Sequence, residues 1–182
     1  MNKTTKLAFN VAFCGIVTAL ASVFMFMSLI PSFAYVVPAF SGIVIWTVSE
    51  HMNVKWAYMC YAATALLSLM LIPEPEANLF FIFFFGYYPT LCILLDKIKN
   101  KAVRFIVKLV IFNAAVVTAY NFLLLIIPVE EALEGMEFLG ELAVYVFWGV
   151  GNVAFIIYDP CLRTIKEAYI KLIKPKVSAK LK

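Results

Sequence analysis

The stretch KLAFNVAFCGIVTALASVFMFMS, Lys6 to Ser28, carries two patterns at once. From Leu7 onward it is apolar for at least the roughly 20 residues that a bilayer crossing requires. One line through it is made only of small residues: Ala8, Ala12, Gly15, Ala19 and Ser22. Steps of four, three, four and three put these on one face of a helix. The other positions are bulky, with Phe9, Val11, Phe13, Ile16, Val17, Leu20, Val23 and Phe24. Lipid tails give an apolar side chain no reason to leave them, so helices in a bilayer associate by close packing, which a small-residue stripe permits. The stripe is therefore expected to be a docking surface, either for the protein's own helices or for a partner subunit.

The rest of the chain extends this character. Of its 182 residues, 64% are hydrophobic and only 14% charged, and the mean hydropathy is +0.95. A soluble domain of this size could not cover so much apolar surface, so an all-α integral membrane protein is expected. MNKTTK followed by an apolar run has the outline of a signal peptide. The run is too long for one and has no small-x-small site before polar sequence, so it is read as a spanning helix. Cys14, Cys60, Cys92 and Cys161 show no paired spacing and are read as reduced thiols used as small apolar residues.

Outward from the first segment, hydropathy and proline stops predict a single domain, 1–182, of six spans. These cover about 7–30, 35–49, 56–72, 78–95, 105–127 and 141–158. Pro31, Pro73, Pro75, Pro128 and Asp159-Pro160 punctuate them, and Pro38 suits a first helical turn. Residues 160–174 follow as a separate amphipathic helix. Leu162, Ile165, Tyr169, Leu172 and Ile173 face lipid, and Arg163, Lys166, Lys171 and Lys174 face water and phosphate. With six spans, all 15 Lys and Arg fall on one side of the membrane, and Glu74, Glu76, Glu130, Glu131, Glu134, Glu137 and Glu141 fall on the other. The positive-inside rule then predicts both termini in the cytoplasm of a cell-membrane protein.

No Asp, Glu, Lys or Arg is expected at the centre of a span, so the commonest signature of ion coupling is missing. Uncharged polar residues cluster instead. Tyr145, Trp148 and Asn152 follow at three and four on segment six, beside Gly149 and Gly151. Segment five offers Asn113, Tyr120 and Asn121, and segment three offers Tyr58, Tyr61, Thr64 and Ser68. In Gly86-Tyr87-Tyr88-Pro89, Pro89 frees the carbonyl of Phe85. Aromatic walls with a few amides suit a small organic ligand. The same residues suit interhelical hydrogen bonds and an aromatic belt. Tyr87, Tyr88, Asn121, Tyr145, Trp148 and Asn152 are the ligand candidates, joined at the outer side by Glu74 and Asn78 of the rigid acidic loop Pro73–Asn78. Pro128 to Glu141 is read as a solvated connector or an amphipathic lid.

Enzyme chemistry finds no residues to work with. The one histidine, His51, sits in a loop, and HExxH, GxSxG, paired aspartates and a Walker sequence are all lacking. No metal, cofactor or nucleic-acid partner is expected.

With its six spans, small-residue first helix and Ala8–Ala12 in the AxxxA pattern continued by Val17-Thr18-Ala19-Leu20, the chain resembles the substrate-binding S components of energy-coupling factor (ECF) transporters. The resemblance covers the whole chain in length and topology. It implies a vitamin or similar micronutrient held near the outer side by segments four to six. It also implies that Ala8, Ala12, Gly15 and Ala19 dock on a transmembrane coupling subunit served by two ATPase subunits. In that family the loop between helices one and two often closes over the ligand. Here Pro31 to Pro38 is short, which moves attention to Pro128–Glu141. A stand-alone small carrier, perhaps dimeric in the membrane, and a non-transport membrane assembly protein are the alternatives.

Overall fold

The computed structural model of the chain describes residues 3–30, 33–126 and 142–176. The expected lid, Pro128 to Glu141, lies outside them. All the regular structure described is helical. Helix α1 runs Lys3–Phe26 and closes with a 3-10 turn, Met27–Leu29. Then come α2, Val36–His51; α3, Val54–Leu71; α4, Pro75–Phe80; and α5, Tyr88–Leu95, with the π turn Phe81–Phe85 between the last two. Helix α6 is Lys101–Leu123, and α7 is Ala143–Ala168, prolonged by the π turn Tyr169–Ile173. Five stretches are long and apolar enough to cross a membrane: Thr4–Leu29, Val54–Leu71, Pro75–Leu95, Lys101–Leu123 and Val144–Lys176. The expected second span, α2, has 16 residues, or about 24 Å at 1.5 Å per residue. The chain divides into two compact units, Met1–Ile98 and Lys99–Lys182.

In the first unit α1 packs on α2 and α3 with the face that carries Val17, Ala21 and Met25, which meet Ile45, Val48, Ala57, Cys60 and Phe81 in the core. The approach to α2 is close enough for the Ser41 hydroxyl to donate to the Ala21 carbonyl at 3.1 Å. The small-residue stripe is not the packing face. Ala8, Ala12, Gly15 and Ala19 are exposed, and only Ser22, at its end, turns into the core.

The fourth apolar segment is not one regular helix. Pro89 has no N–H to offer the Phe85 carbonyl, and one turn earlier the ladder widens to i→i+5, with the Gly86 N–H on the Phe81 carbonyl at 2.8 Å. The Ile82 carbonyl, which Gly86 would serve in an α-helix, instead accepts from the Tyr61 hydroxyl of α3 at 2.6 Å. Two glycines let the neighbours come this close. A Cβ on Gly86 would lie 2.6 Å from Cδ2 of Tyr61, and one on Gly42 of α2 would overlap the Phe85 carbonyl oxygen. So the Phe85 carbonyl, which Pro89 cannot serve, is packed against bare backbone of α2.

In the second unit α6 and α7 run antiparallel in a constant register: Lys108 meets Asp159, the rings of Phe112 and Phe155 stack at 4.6 Å, and Asn113 meets Asn152. The predicted stop at Asp159-Pro160, with a separate helix after it, is corrected: α7 continues through Pro160. Proline here leaves the Ile156 carbonyl without its usual donor, which spanning helices tolerate when neighbours compensate. The residue before Pro160 is held by Lys108 across the helix pair, and Thr164 donates to the Pro160 carbonyl at 3.0 Å.

The glycine contacts predict opposite outcomes for one substitution. Gly42→Ala should destabilise the purified protein by about 1–3 kcal/mol or more, as overpacking does. Gly15→Ala, where a Cβ meets nothing within 4 Å, should leave stability unchanged or raise it slightly through helix propensity. Thermal unfolding in detergent measures both.

Candidate functional site

The strongest concentration of polar groups inside apolar helices is the seam between α6 and α7. Asn113, on the fourth turn of α6, sits opposite Asn152, and the two amides exchange hydrogen bonds at 2.9 and 3.1 Å. Trp148, one turn from Asn152, donates its indole N–H to Asn113 Oδ1 at 2.7 Å. The remaining amide hydrogens close locally, from Asn113 to the Leu109 carbonyl and from Asn152 to the Trp148 carbonyl, each at 2.9 Å. The expected pair Trp148 and Asn152 is thus brought together, but its donors are committed to Asn113 and to the helix. The network holds the seam rather than presenting free amides to a ligand.

Two turns further along, Lys108 and Asp159 form an ion pair at 2.9 and 3.2 Å, with the Lys108 side chain buried. This charge inside two spanning helices was not foreseen, because Asp159 reads with Pro160 as a helix stop. The available signal was a lysine three positions inside the apolar run that begins at Phe105, which needs a counter-charge on a neighbouring helix.

Toward the other end of the seam, Val116, Tyr120, Val144, Tyr145, Phe147 and Trp148 line an open groove of about 170 Å³. Tyr145 is 68% and Trp148 44% exposed. Ligand sites for drug-sized molecules span about 300–1,000 Å³, so the groove admits a ring or an acyl chain. Asn121 is not brought to it by any hydrogen bond. Its amide donates to the Val117 carbonyl of its own helix at 2.7 Å.

The other candidates belong to the first unit. Tyr88 is a core residue, fully buried with its ring stacked on Phe84 at 4.4 Å. Tyr87 is half-buried and meets Tyr61 edge-on at 5.9 Å. Asn78 is buried, and its amide nitrogen donates to the Ile72 carbonyl at 2.8 Å, closing the turn from α3 into α4. Its neighbour Glu76 accepts from the Tyr35 hydroxyl at 2.6 Å, a partner the sequence did not suggest. Burial, with the nearby Glu76 carboxylate second, holds the Glu74 carboxyl above the usual range. Among the described residues no group of His, Cys, Asp and Glu could hold a metal ion. No protein-family model, curated protein or solved structure matches the chain.

The seam gives a graded prediction. Lys108→Met, which takes the buried ammonium away from the partly exposed Asp159 carboxylate, should cost about 1.5–3 kcal/mol, and Lys108→Met with Asp159→Leu should recover part of it. A double-mutant cycle on Asn113→Ala and Asn152→Ala should return a coupling of about 0.6–1.7 kcal/mol. Unfolding from bicelles measures all of these. Because the raised carboxyl of Glu74 binds its proton more tightly in the folded protein, its contribution favours folding at low pH. That contribution is lost as pH rises from the ordinary glutamate value through the raised one. Glu74→Gln should therefore flatten the fall in melting temperature between acidic and neutral pH.

Proposed function

We propose that the protein is the membrane substrate-capture subunit of an ECF-type transporter. It takes up a vitamin or similar micronutrient at its outer side for import by an ATP-driven partner module. The observation that carries this reading is the division of labour on α1. Val17, Ala21 and Met25 do the packing inside the unit, while Ala8, Ala12, Gly15 and Ala19 stay exposed. A small-residue face that the protein's own described helices leave open suits close approach by a helix from another subunit. The composition supports the same assignment. The chain has no Walker sequence, which suits a subunit whose energy comes from an ATPase partner.

In this reading both termini are cytoplasmic in the cell membrane, and the coupling subunit seats on the α1 stripe and is served by two ATPases. The ligand is small and aromatic or apolar in part, to match the wall formed by Tyr120, Tyr145 and Trp148. A second copy of the chain on the same stripe is the competing arrangement, that of a stand-alone carrier.

Purification of tagged protein from its native membrane, beside Ala12→Trp and Ala19→Trp, tests the assignment. Wild type should bring down a transmembrane subunit and two ATPases. Each Trp variant should lose about tenfold or more of that yield while its melting temperature stays near wild type, since exposed substitutions change stability by about 0.5 kcal/mol or less. Wild type recovered alone, or only with itself, overturns the assignment in favour of a self-sufficient carrier.

A further inference from the structure

Between Lys108 and Arg163 the sequence contains no lysine or arginine. The same stretch carries five glutamates between positions 130 and 141, and Asp159, which is paired with Lys108. The acidic excess here favours a cation over an anion. The groove at the seam of α6 and α7 belongs to this stretch. Its α6 wall, at 116–120, lies near the end of a helix that stops at Leu123, and its α7 wall, at 144–148, lies in the opening turns of a helix that starts at Ala143. The groove is therefore near an end of both spans and can be reached from water.

Four of the seven side chains that line the groove are aromatic, Tyr120, Tyr145, Phe147 and Trp148, and the other three are valines. Nearby donors are already spent. The Trp148 indole N–H is on Asn113 Oδ1, the Asn121 amide on the Val117 carbonyl and the Thr118 hydroxyl on the Ala114 carbonyl, each at 2.7 Å. The polar groups left on the lining are the phenol hydroxyls of Tyr120 and Tyr145. Such a lining sorts ligands by charge and by N–H count. An anion meets no cation and no free amide. A primary ammonium would trade water for a wall without carboxylate or carbonyl acceptors, which leaves its N–H groups unpaired. A cationic nitrogen capped by carbon has no N–H to satisfy, and the negative faces of aromatic rings attract it within about 6 Å, tryptophan most strongly. The bond to Asn113 ties the indole to the opposite helix, although Trp148 is 44% exposed.

Building on the reading of the chain as a capture subunit with this groove as its ligand site, we infer that the groove is an aromatic cage for a small organic cation. The cation carries a quaternary ammonium or an N-alkylated heteroaromatic nitrogen and is taken up free from the water at the membrane surface. Tyr120, Tyr145, Phe147 and Trp148 surround the charge. Asn113 is a positioning residue that acts through the Trp148 indole.

Titration calorimetry of the purified full chain in a maltoside detergent tests the cage. The probes are choline, N-methylpyridinium and the uncharged isostere of choline in which a tert-butyl group replaces the trimethylammonium group. At least one cation should bind, and choline should bind about tenfold or more tightly than its isostere. Tyr145→Leu, at a position 68% exposed, should lose about tenfold in cation affinity with its melting temperature near wild type, whereas Tyr145→Phe, which keeps the ring, should bind as wild type does. Failure of both cations to bind, equal affinity for choline and its isostere, or equal loss in the Leu and Phe variants overturns the cage. Tighter binding of dihexanoylphosphatidylcholine than of choline overturns the assignment to a free cation and makes the occupant a lipid headgroup. Recovery of the partner module from native membranes keeps the two readings apart. If the module comes down but no cation binds, the cage alone fails. If a cation binds to a chain that is recovered alone, the cage stands and the capture-subunit reading fails.

Discussion

Inside a bilayer a backbone carbonyl or N–H without a partner costs several kcal/mol, because no water can replace it. In the first unit the helical ladder is interrupted at Pro89, and the local construction shows how its neighbours are arranged there. Pro89 cannot supply the helical donor to the Phe85 carbonyl, and the irregularity around it involves three helices. The fourth segment widens into a π turn, the Tyr61 hydroxyl takes the Ile82 carbonyl, and Gly42 strips α2 of the side chain that would block Phe85. Gly86 completes the arrangement by making room for the Tyr61 ring. Residues of α2, α3 and the π turn thus meet at one irregular point of the fourth segment. A second proline, Pro160, is met differently. Its helix continues, and the strongest available polar contact, Asp159 to Lys108, stands immediately before it.

The same constraint changes what a polar residue in a spanning helix signifies. Asn113, Asn152 and Trp148 look like a ligand lining when their spacing alone is considered. In the structure each amide hydrogen has an acceptor, and the indole N–H shares Asn113 Oδ1. A buried amide is stable in hydrocarbon only when its donors are satisfied, so the residues most able to bind a ligand are also those most strongly drawn to one another. What remains open to a ligand is the groove beyond the network, whose walls are aromatic and aliphatic.

Much of this was legible in the sequence and some was not, for physical reasons that can be named. Long apolar runs identified the helices, because a span needs length and hydropathy and little else. The loss of the helical donor four residues before Pro89 was legible, since proline acts locally. Its compensation was not, because Gly42 lies more than 40 positions away and looks like any helical glycine. Pro160 misled for the converse reason. A proline beside an aspartate in an amphipathic stretch reads as a stop unless the partner of the aspartate is known, and Lys108 sits 51 residues earlier. Tyr87 and Tyr88 are adjacent and chemically alike, yet one is half-buried and the other is sealed under Phe84. Neighbours on a helix point about 100° apart, and only the surrounding helices decide which direction is core.

The face of α1 that stays open has an energetic oddity of its own. Glycine in a helix interior costs roughly 0.5–1 kcal/mol against alanine, through the freedom it loses on folding. At Gly42 and Gly86 that cost is met by contacts no Cβ would allow. At Gly15 nothing in the described protein comes within 4 Å of where a Cβ would be. The neighbours on its stripe, Ala8, Ala12 and Ala19, likewise give up the dispersion contacts that larger side chains such as Ile16 and Val23, on the lipid-facing surface, make with acyl chains. A helix selected only to face lipid has no use for such a line. A second backbone brought within close-packing distance would convert the loss into contact, as it does at the other two glycines. That is the role the proposed function gives Gly15, with the stripe as one half of an interface.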